Sequence, residues 1–240
     1  MAETDWEVLP HGEIVPLAEN LWRVEGALPN MDLKRCMVVA RTSTGELVLH
    51  SAIAMDEAHM AELEALGRPA WLVVPNGWHR LDAPRYKARY PGLVVVCPQQ
   101  ARKNVAAKVP VDGTYADFPS LDPEGTVRLE HIDADRHMEG ILSVRSADGV
   151  TLVFGDTLFN LPHQHGPFWF VYGRILGSTG GPKVPPIGRL MMLFTRSGGA
   201  FRAAVGRWLD RGGVVRLVPA HGDVVTDDVA GVLARLAGRS

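Results

Sequence analysis

Val150-Thr151-Leu152-Val153-Phe154-Gly155-Asp156-Thr157-Leu158-Phe159 decides the fold. An apolar, partly β-branched run ends at Gly155, and a carboxylate follows at once. That pattern predicts a buried strand that delivers Asp156 to the rim of a sheet, with Gly155 admitting close backbone approach. An acidic side chain in that place needs a partner, because burying it unpaired is prohibitive. A metal, an arginine or a set of backbone amides would each serve, and the choice among them governs the function.

Around this strand, elements of both kinds alternate. Leu21 to Glu25, Cys36 to Arg41, Glu46 to His50, Trp71 to Val74 and Leu93 to Val96 read as strands. Val127 to Ile132, Ile141 to Arg145 and Val150 to Phe154 follow in direct succession, with Asp148-Gly149 as a hairpin turn. A last strand spans Val214 to Val218. Helical spacing marks Asp56 to Leu66, Ala83 to Tyr90, Gln99 to Ala106, Gly199 to Asp210 and Asp227 to Leu236. Strands arriving in succession favour a mixed, layered α/β architecture over a purely parallel sheet. No linker, repeat or low-complexity tract divides residues 1–240, so a single domain is expected.

Composition narrows the function classes. The 240 residues carry a formal net charge of −2, which gives no electrostatic case for nucleic acid or an anionic membrane surface. The apolar region Pro167 to Phe194 is broken by glycines and prolines and fails as a membrane span. Met1 to Glu13 is polar and acidic, unlike a signal peptide, and Cys36 and Cys97 read as buried free thiols. A cytoplasmic protein with a small-molecule substrate or ligand is the expectation.

Three polar residues adjoin apolar runs in the same way. Asp156 follows Leu152 to Gly155, His221 follows Val214 to Ala220, and His137 in Arg136-His137-Met138-Glu139-Gly140 precedes the run at Ile141. If these strand ends share one sheet edge, two imidazoles and a carboxylate converge there, ligands that Zn, Mn and Fe accept.

Phe154-Gly155-Asp156-Thr157-Leu158-Phe159 resembles the Gly-Asp-Thr-Leu-Phe segment of the metallo-β-lactamase superfamily, especially its glyoxalase II-like members. Pro219-Ala220-His221-Gly222-Asp223 resembles the superfamily's late His-Gly motif, and Arg136 to Gly140 is similar to its middle Gly-His-Thr-x-Gly motif. The order along the chain agrees, from about Leu21 to Leu236. The resemblance implies a four-layer αββα sandwich with a site at one edge of its two sheets.

The main metal motif of that superfamily, His-x-His-x-Asp-His, is degenerate here. Pro75-Asn76-Gly77-Trp78-His79-Arg80-Leu81-Asp82 stands after the strand at Trp71. In one register Asn76, Trp78, Arg80 and Leu81 replace all four ligands; shifted by one, His79 is kept and Asp82 replaces the final His. Neither leaves a full two-metal site. One account keeps a single ion, Zn or another divalent transition metal, on His79, His137, Asp156 and His221 with Asp82 in reserve. Asp156 then also serves catalysis, in the hydrolysis of an ester, thioester or amide. The other account is a metal-free, non-catalytic binding protein in which Arg80 pairs with Asp156. His163-Gln164-His165, in a loop beyond Asp156, could reach either site. Gly177 to Lys183 reads as a flexible loop over the cleft, because Pro182 and the missing Gly-Lys-Ser/Thr ending rule out a phosphate loop. Ser51 has no detectable triad neighbours in the sequence.

Overall fold

The computed structural model describes residues 5–132, 139–163, 165–166, 169–175 and 177–239. Its first sheet has seven strands in sequence order: β1 (Val15–Ala18), β2 (Leu21–Leu28), β3 (Met31–Arg41), β4 (Glu46–His50), β5 (Arg68–Val73), β6 (Val94–Cys97) and β7 (Gly113–Thr114). The strands from β1 to β4 pair antiparallel, and those from β4 to β7 run parallel. Parallel neighbours need crossovers. These are α1 (Glu57–Leu66) between β4 and β5, α2 (Ala83–Arg89) between β5 and β6, and α3 (Arg102–Ala106) after β6.

A second sheet comprises β8 (Val127–His131), β9 (Gly140–Ser146), β10 (Gly149–Val153) and, from far along the chain, β13 (Val214–Val218). The succession β8–β9–β10 is antiparallel, whereas β13 lies parallel to β10. A small third sheet sets β11 (Phe159–Leu161) between β12 (Gly181–Lys183) and β14 (His221–Gly222). Helices α4 (Pro186–Thr195), α5 (Gly198–Arg211) and α6 (Val229–Ala237) complete the chain.

Period-two alternation builds the layers. In the first sheet Val39, Leu47 and Leu49 face Met60, Leu63 and Tyr86 of the helices. Their neighbours Val38, Ala40 and Val48 face the other way, onto Val127, Leu142, Val144 and Val153 of the second sheet. That sheet turns Ile141, Leu152 and Leu217 outward against Phe201, Val205 and Leu233 of α5 and α6. Three apolar seams thus separate four layers in the order α, β, β, α. Each fully buried aliphatic side chain contributes about 1.5–3 kcal/mol, so the seams hold the sandwich.

Two stretches differ from the sequence reading. The segment Gly177 to Lys183 is not a loop over the cleft, because Gly181–Lys183 pairs as β12 with β11. The prolines at 185 and 186 do not merely break the chain: they open α4 at its first turn, where the absent N–H is no loss. Among the described residues no helix is long and apolar enough to cross a membrane.

Leu142 is fully buried in the seam between the sheets. Leu142→Ala is expected to lower unfolding free energy by about 2–5 kcal/mol, read from a urea transition. A loss under about 1 kcal/mol would show that this seam does not carry the fold.

A candidate metal centre at the strand ends

The carboxyl ends of β4, β5, β10 and β13 bring the polar residues together. Ser51 follows β4, Asn76 and His79 follow β5, Asp156 follows β10, and His221 stands in β14 just after β13. His79, Asp156 and His221 each offer a ligand atom, and these atoms lie within 4.8 Å of one another. His79 Nε2 is 3.1 Å and His221 Nε2 3.3 Å from the same oxygen, Oδ1 of Asp156.

Local hydrogen bonds aim each side chain. Oδ1 of Asn76 accepts the amide N–H of Trp78 at 2.9 Å and of His79 at 3.1 Å, a tight turn that carries the His79 ring inward. Nδ2 of Asn76 donates to Oδ2 of Asp156 at 2.9 Å. His79 Nδ1 lies 2.7 Å from the Ser51 hydroxyl. His221 Nδ1 lies 2.6 Å from the carbonyl oxygen of Lys34. A carbonyl only accepts, so this nitrogen carries a proton and donates.

Beneath them sits Glu139, buried and unsuspected as a site residue from the sequence. Its carboxylate accepts the amide N–H groups of Gly155 at 3.0 Å, Asp156 at 2.7 Å and Thr157 at 3.2 Å, and the Thr157 hydroxyl as well. A Cβ at position 155 would lie 2.7 Å from a Glu139 oxygen, so only glycine lets this carboxylate close on the backbone. Likewise Gly222 has φ +98°, and a Cβ there would meet the Asn160 carbonyl at 2.1 Å.

Charge is shared unevenly. Burial pushes Glu139 up, to about 7, with the nearby Asp156 carboxylate adding to the rise. Burial also works to raise Asp156, but His79 and His221 outweigh it and hold the carboxyl well below its usual range. For His79 burial opposes the charged ring, and Asp156 overcomes it, leaving the imidazole above its ordinary value. Buried His50 is pushed down to about 3, chiefly by desolvation and then by His79, and stays neutral.

The other residues singled out in the sequence go elsewhere. Arg80 does not pair with Asp156. It donates to the backbone carbonyl of Asn104, because the turn that points His79 inward points its neighbour out. Asp82 is no reserve ligand: Arg35 holds it at 2.5 Å, Arg85 at 2.6 Å, and the amide of Ala54 at 3.0 Å. His163 bonds the Thr179 hydroxyl at 2.9 Å beside Gly180, and His165 is exposed outside the cleft lining. His137 lies outside the described residues. Ser51, set aside for want of neighbours, stands beside His79; its partner is 28 positions away, which no local motif reveals. A second group, His11, Asp56 and His59, also lies close together. Its atoms are committed to capping α1: Asp56 Oδ1 accepts the His59 amide, and His11 Nε2 accepts the Asp56 amide at 3.1 Å.

The triad of ligand atoms floors a cavity of about 280 Å³, walled by Leu33, Phe159, Met191 and Met192 and rimmed by exposed Trp78 and Ile187. Because folding raises Glu139 above its ordinary value of 4.5, its contribution to stability is full below about pH 4.5 and is lost as pH rises through about 7. Asp156 runs the other way and contributes above its ordinary 3.8. Between these limits the protein should lose stability with rising pH, by at most about 1.4 kcal/mol per pH unit from this one proton. Glu139→Gln should flatten that slope in urea transitions measured from about pH 5 to 8. Parallel profiles for the two proteins would refute the assignment.

No protein-family model and no curated protein matches the chain in sequence. Among solved structures it is similar to the metallo-β-lactamase DIM-1 exposed to ceftazidime, at a TM-score of 0.63 and 13% identity over 97% of this chain and 99% of that one. It is similar also to FIM-1 from Pseudomonas aeruginosa in its mono-zinc form (TM-score 0.60, 11% identity, 96% of each chain). A metallo-β-lactamase from Hirschia baltica gives a TM-score of 0.56 at 12% identity, over 94% of this chain and 97% of that one. The chain has the metallo-β-lactamase fold, reached at a sequence distance that speaks for the architecture alone.

Proposed function

We propose that the cleft is a hydrolytic site holding one divalent transition ion, best zinc, on His79, Asp156 and His221, with His137 as a candidate fourth ligand. One observation carries this reading. His221 commits its Nδ1 proton to the Lys34 carbonyl, which leaves the Nε2 lone pair as the one that can face the Asp156 oxygen 3.3 Å away. Two lone pairs facing each other repel unless a proton or a cation stands between them. Two imidazoles and a carboxylate are a donor set that zinc accepts. An ion bound there would polarise a substrate carbonyl and make water a nucleophile near neutral pH.

The surrounding residues prepare the ligands. The Lys34 carbonyl fixes the His221 tautomer, Ser51 orients His79, and Asn76 occupies the far oxygen of Asp156. Substrate class follows from the walls. Arg35 is the one cationic side chain lining the cavity among the described residues, and it is buried and locked to Asp82. An ester, thioester or amide with a neutral, apolar body fits this lining; a substrate with a remote carboxylate finds no partner.

A second reading has its own observation. Ser51, His79 and Asp156 form a continuous hydroxyl–imidazole–carboxylate chain, at 2.7 and 3.1 Å, with Ser51 held at φ +58° after the end of β4. Without an ion, the Ser51 oxygen would attack an acyl carbon while its proton passes to His79 Nδ1, which hands it on to the departing alkoxide as the acyl–oxygen bond breaks. Water then releases the acid. The two readings demand opposite tautomers of His79.

Ser51→Ala separates them. The metal reading expects one zinc ion per chain by elemental analysis after loading and dialysis. In that reading the variant weakens zinc affinity by roughly 10–100-fold yet hydrolyses p-nitrophenyl butyrate when saturated with zinc. The serine reading expects no hydrolysis by the variant at any zinc level, and labelling of Ser51 by a fluorophosphonate in chelator-treated protein. A chain that binds no zinc and takes no label is not a hydrolase of either kind.

A further inference from the structure

A groove on the far side of α4 carries a charge pattern opposite to that of the chain. Lys183 of β12, Arg189 of α4, Arg196 at the α4–α5 corner, Arg202 of α5 and Arg235 of α6 all line it, and among the described residues no acidic side chain does. The whole chain has a net charge of −2, so this is a local reversal. The groove encloses about 700 Å³ over an apolar floor that includes Met192, Phe201 and Leu236.

These cations are held by carbonyls more than by carboxylates. Arg189 bonds the Val184 carbonyl through Nε alone, at 3.1 Å, and Lys183 bonds the Thr179 carbonyl at 2.6 Å. Among the described residues the single carboxylate contact is that of Asp228 with Arg235, at 3.2 Å and more than half exposed on both sides. Such a surface pair is worth little and is readily exchanged. Five like charges around one concavity repel each other, and an anion in their midst removes the repulsion. Guanidinium groups match phosphate oxygens two at a time, which carboxylate-free lysine surfaces do not.

The backbone adds to the same field. The first turn of α5 opens into the groove at Gly198 and Gly199, and a Cβ on Gly199 would meet nothing within 4 Å. Helix-start amides lack partners within the helix and favour anions. The Arg202 guanidinium folds back over this turn, 3.5 Å from where a Cβ of Gly198 would stand.

We propose that this groove binds a soluble phosphorylated organic ligand of nucleoside diphosphate type, its phosphates on the arginines and its apolar body on the floor. The volume is that of a small-molecule site. Cationic rim and apolar floor together favour such an amphipathic anion over bare phosphate. Met192 lines both groove and cleft, so an occupant would touch the helix that walls the candidate active site.

Calorimetry with the full chain tests this against four probes: ADP, inorganic pyrophosphate, adenosine and phosphatidylglycerol vesicles. ADP should bind more tightly than pyrophosphate, at least tenfold more tightly than adenosine, and more weakly as salt is raised. Arg202→Gln and Arg189→Gln should each weaken ADP binding roughly tenfold. Arg211→Gln, which removes the same charge at the other end of α5, should not. The proposal is overturned if ADP and adenosine bind alike, if neither binds at millimolar concentration, if Arg211→Gln weakens ADP as much as the groove variants, or if vesicles bind while ADP does not. Zinc binding plays no part in these readings, so they stand or fall apart from the hydrolytic function.

Discussion

The grip of Glu139 on three successive amides is the interaction on which the site depends. Residues 155–157 leave the end of β10 with N–H groups that no strand can satisfy, and the buried carboxylate takes all three. With the backbone fixed there, the Asp156 side chain has one direction left to go, into the gap where His79 and His221 meet it. The arrangement puts two carboxylates close together in a desolvated place. The strain is resolved by giving the charge to Asp156, which has imidazole partners, and letting Glu139 hold its proton more firmly. A structural carboxyl group and a charged functional one are thereby separated by environment, not by residue type.

Around that pair the two halves of the sandwich contribute different things. The first sheet brings Ser51, Asn76 and His79 on crossovers between parallel strands; the second brings Asp156 and, through β13, His221. Ligands converge because both sheets present the carboxyl ends of parallel pairs at the same edge, where chain reversals leave room for side chains. The buried Arg35, held by Asp82 and the backbone carbonyls of Ala27 and Ala52, braces β3 against the start of α2 and leaves the cleft without a mobile cation.

Much of the fold was legible because its seams obey simple periods. Val38 to Arg41, Glu46 to His50 and Val150 to Val153 announce themselves as strands, and Asp156 and His221 stand at the ends of apolar runs. Helix α4 was missed because paired prolines look like a stop, although at a first turn they are a start. Glu139 was missed because its three partners lie across the strand pair from it, and nothing in Met138-Glu139-Gly140 marks a carboxylate that will be buried. Arg80 illustrates another limit. Composition places a cation beside the motif, but whether it or His79 enters the cleft turns on one hydrogen-bonded turn at Asn76. Ser51 and Asp82 owe their surroundings to contacts 28 and 47 residues distant in sequence, beyond any local pattern.

The ring of His79 has a mechanical consequence. One of its nitrogens touches the end of β4 in the first sheet, and the other touches the end of β10 in the second. The imidazole is a rung of fixed length between two slabs whose shared seam is packed with apolar side chains. Hydrogen bonds weaken steeply beyond their normal range, so a shear of about an ångström between the slabs would loosen one contact or the other. The line shape and exchange rate of the His79 ring protons therefore gauge the spacing of the sandwich. Breathing motions that leave every strand intact would still be written there.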